Sequence, residues 1–208
     1  MTGGYERAEM QPKETGRNRE TIKRMQIINI KRIIRLAVLN SVGLGFASTT
    51  TAQLREENRG GDLPSPLCDS VQVPFVHRLT FHAYALGSQL YRWNGAGWIF
   101  VEPVARLFEN GNFRGDVGVH YVGPTWESSN GSKVVAARVA GCSVDPAAID
   151  WLLLQAVSTE GSVPFRGVTY IQRVRTVGGR SPVAPGSAVG QVVEVPYTAE
   201  YYFYRASD

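Results

Sequence analysis

The sequence predicts a mainly β protein, an antiparallel β-barrel or β-sandwich with at most one or two short helices. Apolar and polar residues alternate with period two over most of its second half, turn dipeptides separate the alternating runs, and long helical stripes are missing. In VEVPYTAEYYFYR, Val193, Val195, Tyr197, Ala199, Tyr201 and Phe203 share one face and Glu194, Thr198 and Glu200 the other, as in a half-buried strand. LTFHAYA sets Leu79, Phe81 and Ala83 against Thr80, His82 and Tyr84, and VVAARVA sets Val135, Ala137 and Val139 against Arg138. VTYIQRVRTV sets Val168, Tyr170 and Val174 against Arg173 and Arg175. Asn94-Gly95, Asn110-Gly111, Asn130-Gly131 and Gly178-Gly179 are turn signals. DPAAIDWLLLQA is ambiguous: Asp145 and Pro146 suit a helix start, whereas WLLLQAV suits a buried strand.

With 208 residues, 43% of them hydrophobic, the chain can bury a core. Its formal charge of +4 suggests nucleic acid until the charge is located. Residues 1–52 hold nine Lys/Arg and four acids, so the remainder carries 13 basic and 14 acidic residues, with Lys133 its sole lysine. A near-neutral domain lacks the footprint of a phosphate-backbone binder, and no nucleic-acid partner is expected.

The N-terminal charge belongs to an address. KRIIRLAVLNSVGLGFASTTTAQ runs from basic residues through an apolar stretch to small residues, the order of a secretory signal with cleavage after Ala52. The stretch Leu36 to Ala47 is shorter than the roughly 20 residues a spanning helix needs, so no stable membrane span is expected. Residues 1–24 read as an extension upstream of a start at Met25, 25–52 as the signal peptide, 53–70 as a flexible lead-in and 71–208 as the β domain. The expected location is periplasm, cell envelope or outside the cell. Export favours a disulfide between Cys68 and Cys142 over two buried free thiols.

The blocks HAYALGSQLYRW, GWIFVEPVARLF, GVHYVGPTWESSNGSKV, IDWLLLQAV, VTYIQRVRTVGGRSP and VPYTAEYYFYR occur in order between Val71 and Arg205. They resemble the domain-of-unknown-function family DUF3455 of exported bacterial and fungal proteins. The resemblance implies an exported β-rich domain with no established activity. It also implies that many bacterial relatives carry a cysteine at the position of Trp93 and another near Pro185 or Gly186, both absent here.

No complete catalytic signature is present. His120 and Glu127 flank a Gly123-Pro124 step, and a hairpin there offers a general acid/base pair or part of a metal site. The plainer reading makes His120 and Trp126 packed, hydrogen-bonded hairpin residues. His77 and His82 are five apart and face opposite ways on a regular strand, so joining His120 in a metal site requires a bend; neither metal nor cofactor is expected. There is no Gly-x-Ser-x-Gly elbow, and GGRSPVAPGSAVG reads as a loop without a phosphate-loop lysine.

The remaining constellation is aromatic, with Gln and Arg interspersed, which suits a binding or interaction module with an aromatic-lined pocket. Its ligand-binding candidates are Trp126, His120, Gln89, Arg173 and Tyr202, the last on the strand face that a barrel could turn toward its lumen. The expected partner is a small molecule or an envelope glycan. The alternatives are a hydrolase-like or metal-dependent enzyme using His120 and Glu127, and a structural envelope protein.

Overall fold

The computed structural model describes Gly60 and residues 62–207. The proposed extension and signal peptide lie outside the described residues. Eight strands follow a short 3-10 turn at Asp69–Val71: β1 His77–Trp93, β2 Trp98–Phe108, β3 Asp116–Tyr121, β4 Thr125–Ser128, β5 Lys133–Cys142, β6 Trp151–Glu160, β7 Tyr170–Gly178 and β8 Val192–Ala206. They form a closed barrel in chain order. The mainly β, antiparallel prediction holds, and closure selects the barrel over the sandwich. DPAAIDWLLLQA resolves as a loop leading into β6, a strand.

Closure depends on the two longest strands. β1 and β8 pair antiparallel from His77↔Ala206 to Arg92↔Val192, so the first and last strands each cover the other's edge and leave no free ladder there. A register shift between Leu79 and Phe81 reverses the facing of what precedes it. Phe81 and Ala83 therefore face inward, whereas Leu79 joins an outer cluster with Tyr204, so the apolar stripe read from LTFHAYA is split between two faces. Gly87 is required by the close approach of β2, because a Cβ there would collide with the Val104 carbonyl and with Ala105.

The interior is filled by unequal neighbours. Ala83 and Ala85 of β1 and Ala105 of β2 leave room that Trp126 of β4 and Tyr201 and Phe203 of β8 occupy. One end is sealed by the β6–β7 loop, whose Phe165 packs on Phe203 and Phe81 with ring centroids 4.8 and 5.7 Å away. At the opposite end lie the loops after β1, β3, β5 and β7.

A second cluster lies outside the wall. Cys68 and Val71, both fully buried, pack with Trp151, Leu153, Val174, Tyr202 and Tyr204, and Cys68 is disulfide-bonded to Cys142 across a Cα separation of 5.4 Å. The end of the segment expected to be flexible up to Ser70 is thus fastened to the barrel, because it covers apolar side chains that the strands turn outward. Near the open end, Trp93 lies against Gly186: a Cβ on that glycine would meet the Trp93 ring and Cβ within 2.5–2.9 Å. The two positions at which the resemblance implies a second cysteine pair are therefore neighbours in space.

Candidate functional site

His120 is placed by strand parity. It pairs with Ala105 on one side and Trp126 on the other, on the inner face of β3. The imidazole stacks on the Trp126 indole with centroids 4.3 Å apart and planes inclined by 10°. Its Nδ1 lies 2.8 Å from the Thr125 carbonyl oxygen, which can only accept, so Nδ1 carries the proton and Nε2 presents its lone pair. Complete burial pushes the His120 pKa down to about 3; the Thr125 hydrogen bond works against this and the Arg173 charge adds to it. His120 is a neutral acceptor at ordinary pH.

Tyr201 of β8 lies edge-to-face with both rings, its centroid 5.2 Å from that of His120 and 5.3 Å from that of Trp126. With Gln89 of β1 these side chains surround a set of unsatisfied polar atoms: Gln89 Nε2, Trp126 Nε1 and the hydroxyls of Tyr197 and Tyr201 are buried without a hydrogen-bond partner. Tyr197 lies near Tyr201 and Gln89, and Tyr201 near Arg173, close enough to affect ionisation but without regular hydrogen-bond geometry. Burial raises both phenol pKa values, and the Arg173 charge opposes the rise. A buried donor without an acceptor costs roughly 1–3 kcal/mol, and Trp126 Nε1 has none, whereas the Tyr197, Tyr201 and Gln89 groups lie against one another in poor geometry.

All of these but Tyr197 border a cavity of about 470 Å³. Its lining includes Gln89, His120, Trp126 and Tyr201, apolar surface from Phe100, Ile149, Leu152 and Leu154, and a charged rim of Arg138, Asp150, Arg173 and Arg180. The rim is built from loop backbone. Arg173 donates from Nε and Nη2 to the Asp150 main-chain oxygen at 3.2 and 2.8 Å, and Arg180 donates from Nε to the Ala148 oxygen at 2.7 Å. The Asp150 carboxylate accepts from Arg180 at 3.3 Å and lies 3.6 Å from Arg138.

Of the residues singled out from sequence, Gln89, His120, Trp126 and Arg173 therefore border one cavity. Glu127 does not join them. Adjacent to Trp126 on a strand, it faces the opposite side, where it accepts from the Tyr121 hydroxyl at 2.7 Å and pairs with Lys133 at 3.4 Å. The His120–Glu127 pair does not form. Tyr202 is also outside, because the apolar stripe of β8, rather than its Glu200 side, faces the lumen; it stacks on His82. His77 bonds to the Pro74 carbonyl, so the three histidines are separate, and among the described residues no cluster of three His, Cys, Asp or Glu could hold a metal.

Arg138, Asp150, Arg180 and Tyr201 were not singled out. For Arg138 a signal existed: it shares parity with Val134 and Ala136, so an inward apolar stripe ends in a charge. Asp150 and Arg180 come from loops whose course no periodicity specifies.

Fold and cavity together define a closed eight-stranded up-and-down barrel whose lumen is accessible at one end. The chain belongs to the family described as protein of unknown function (DUF3455), whose model matches residues 74–205. No curated protein and no solved structure matches it. Among the described residues no helix is long and apolar enough to cross a membrane.

Proposed function

We propose that the protein is an exported binding module that takes a small molecule into the open end of its barrel. The observation that carries this reading is a cavity of about 470 Å³ at the open end of the barrel, with apolar lining from Phe100, Ile149, Leu152 and Leu154 and a rim of Arg138, Asp150, Arg173 and Arg180. Aromatic faces and aliphatic side chains provide the apolar remainder of the contact. The Cys68–Cys142 disulfide is compatible with an oxidising compartment outside the cytoplasm.

Mass spectrometry of the protein purified from its own host tests both parts of this proposal. The denatured mass is expected to be that of residues 53–208 less two hydrogens, and the native mass that value plus a small molecule. Leu154→Trp, which fills the lumen, is expected to lose the additional mass while remaining folded by circular dichroism. A bare native mass, together with no change in melting temperature when host metabolite extract is added, overturns the binding reading. An unprocessed N-terminus overturns export.

A further inference from the structure

The rim of the cavity is electrostatically lopsided. Three arginines, Arg138, Arg173 and Arg180, border it with one carboxylate, Asp150. His120 is neutral and cannot balance them further. Arg138 and Arg180 are exposed at the entrance, with side chains 57% and 44% accessible, whereas Gln89, His120, Trp126 and Tyr201 are each at most 3% exposed. The cavity thus grades from cationic at its mouth to apolar and uncharged at its floor.

Two features indicate the group that fits the mouth. The Asp150 carboxylate already sits between Arg138 and Arg180, so the arginines are spaced to receive carboxylate oxygens, but both contacts are long. Arg173 spends its Nε and Nη2 hydrogens on a main-chain oxygen, so its full charge is uncompensated by any acid it bonds to. That charge reaches inward: it favours the ionised forms of Tyr91, Tyr197 and Tyr201 and disfavours protonated His120. At the floor, His120 Nε2 presents its lone pair and calls for a donor.

Resting on the binding reading above, we propose that the ligand is an amphipathic organic carboxylate: its carboxylate lies at Arg173 and Arg180, its flat apolar body lies along Phe100, Ile149 and Leu152, and a hydroxyl points toward His120 at the floor. Planar guanidinium groups suit a planar carboxylate, and a hydroxyl can donate to His120 Nε2.

The test is calorimetric titration at pH 7 with 6-hydroxy-2-naphthoate, its primary amide, the corresponding naphthylmethylamine and 2-naphthyl phosphate. The carboxylate is expected to bind at least tenfold tighter than the amide, and Arg173→Gln is expected to reduce that preference below threefold. Leu154→Trp is expected to abolish binding of every member. Removing the 6-hydroxyl is expected to weaken binding severalfold in the wild type and to make no difference in a His120→Phe variant that remains folded by circular dichroism. Equal affinity for acid and amide, or a preference for the amine, overturns the carboxylate assignment and leaves the lumen-binding reading intact. A phosphate at least tenfold tighter than the carboxylate replaces the proposed anion. Preference for the carboxylate that survives both Arg173→Gln and Leu154→Trp places the attraction on the surface and overturns the proposal. No binding by any of the four probes overturns the proposed ligand class; the lumen-binding reading then stands or falls with the native mass.

Discussion

The inner and outer faces of this barrel wall contain matching residues in opposite circumstances. Inside, His120 stacks on Trp126 at 4.3 Å and 10°; outside, His82 stacks on Tyr202 at 4.1 Å and 11°. Gln89 inside and Gln172 outside are equally buried, at 3% and 2% exposure. The outer set is closed on itself. Glu200 accepts from Arg175 at 2.9 Å and from Tyr202 at 2.8 Å, and lies 3.0 Å from His82 Nε2, while Gln172 donates to the Val71 carbonyl at 2.7 Å and accepts from Tyr204 at 3.2 Å. The inner set leaves Gln89, Trp126, Tyr197 and Tyr201 with unpaired atoms. Stacking geometry and burial therefore do not separate a structural cluster from a candidate site. Completion of the hydrogen-bond network does.

The largest effect is expected on the outer side, where the disulfide fastens the lead-in. It closes a loop with a sequence separation of 74, for which chain entropy gives about 4 kcal/mol. Cys68→Ser with Cys142→Ser should lower stability by roughly 2–5 kcal/mol in denaturant titration, and proteolysis should then cut first within 62–76. An unchanged stability would mean that the outer cluster holds without its staple.

Acid should separate the two histidines. Burial lowers the pKa of both, and for His82 the Glu200 charge and hydrogen bond oppose the shift. His120 is neutral in the folded state down to about pH 3, whereas the unfolded chain takes up a proton below its ordinary value of 6.5. Its contribution to stability is therefore full above pH 6.5 and is lost as pH falls from 6.5 toward 3. At about 1.4 kcal/mol per pH unit, the loss between pH 6.5 and 4.5 is roughly 2 kcal/mol. Imidazole NMR should show His82 titrating while His120 remains unprotonated at pH 4.5. Protonation of His120 at pH 6 would remove it as a neutral acceptor.

The glutamines provide the sharpest contrast. Gln172→Leu leaves the Val71 carbonyl and the Tyr204 hydroxyl without this partner and should cost about 2 kcal/mol. Gln89→Leu removes an unpaired donor and should leave stability unchanged or raise it by up to about 1 kcal/mol, as replacements within binding sites often do. Equal losses for the two variants would show that Gln89 also has a structural partner.

Much of the inner face was legible because lumen-facing side chains recur at every second residue. Tyr197, Ala199, Tyr201 and Phe203 follow that rule, and so do Arg173 after Ile171 and Arg138 after Ala136. The rule failed where an inserted residue shifts the register, as at Thr80, which sends Leu79 outward. It also does not say which face is interior, and for that reason Tyr202 was assigned to the wrong side. The association of His120 with Glu127 failed more simply: residues flanking a hairpin meet only if their strand positions share parity, and Glu127 is out of phase with the position opposite His120.

By itself the sequence determined the β class, the turns at Asn94-Gly95, Asn110-Gly111 and Asn130-Gly131 and the alternation that divides the wall into two faces, because these depend on local backbone preference and period-two geometry, whereas the expected turn at Gly178-Gly179 is the end of β7 and a bridge to Ala148. Closure of β1 on β8, the convergence of Arg138, Arg173 and Arg180 around Asp150, and the lack of partners at Gln89 and Trp126 were decided only in three dimensions. Each is a relation between residues far apart in the chain, set by strand register and loop course, and a polar group is seen to be unpaired only when every neighbour that could have satisfied it is in place.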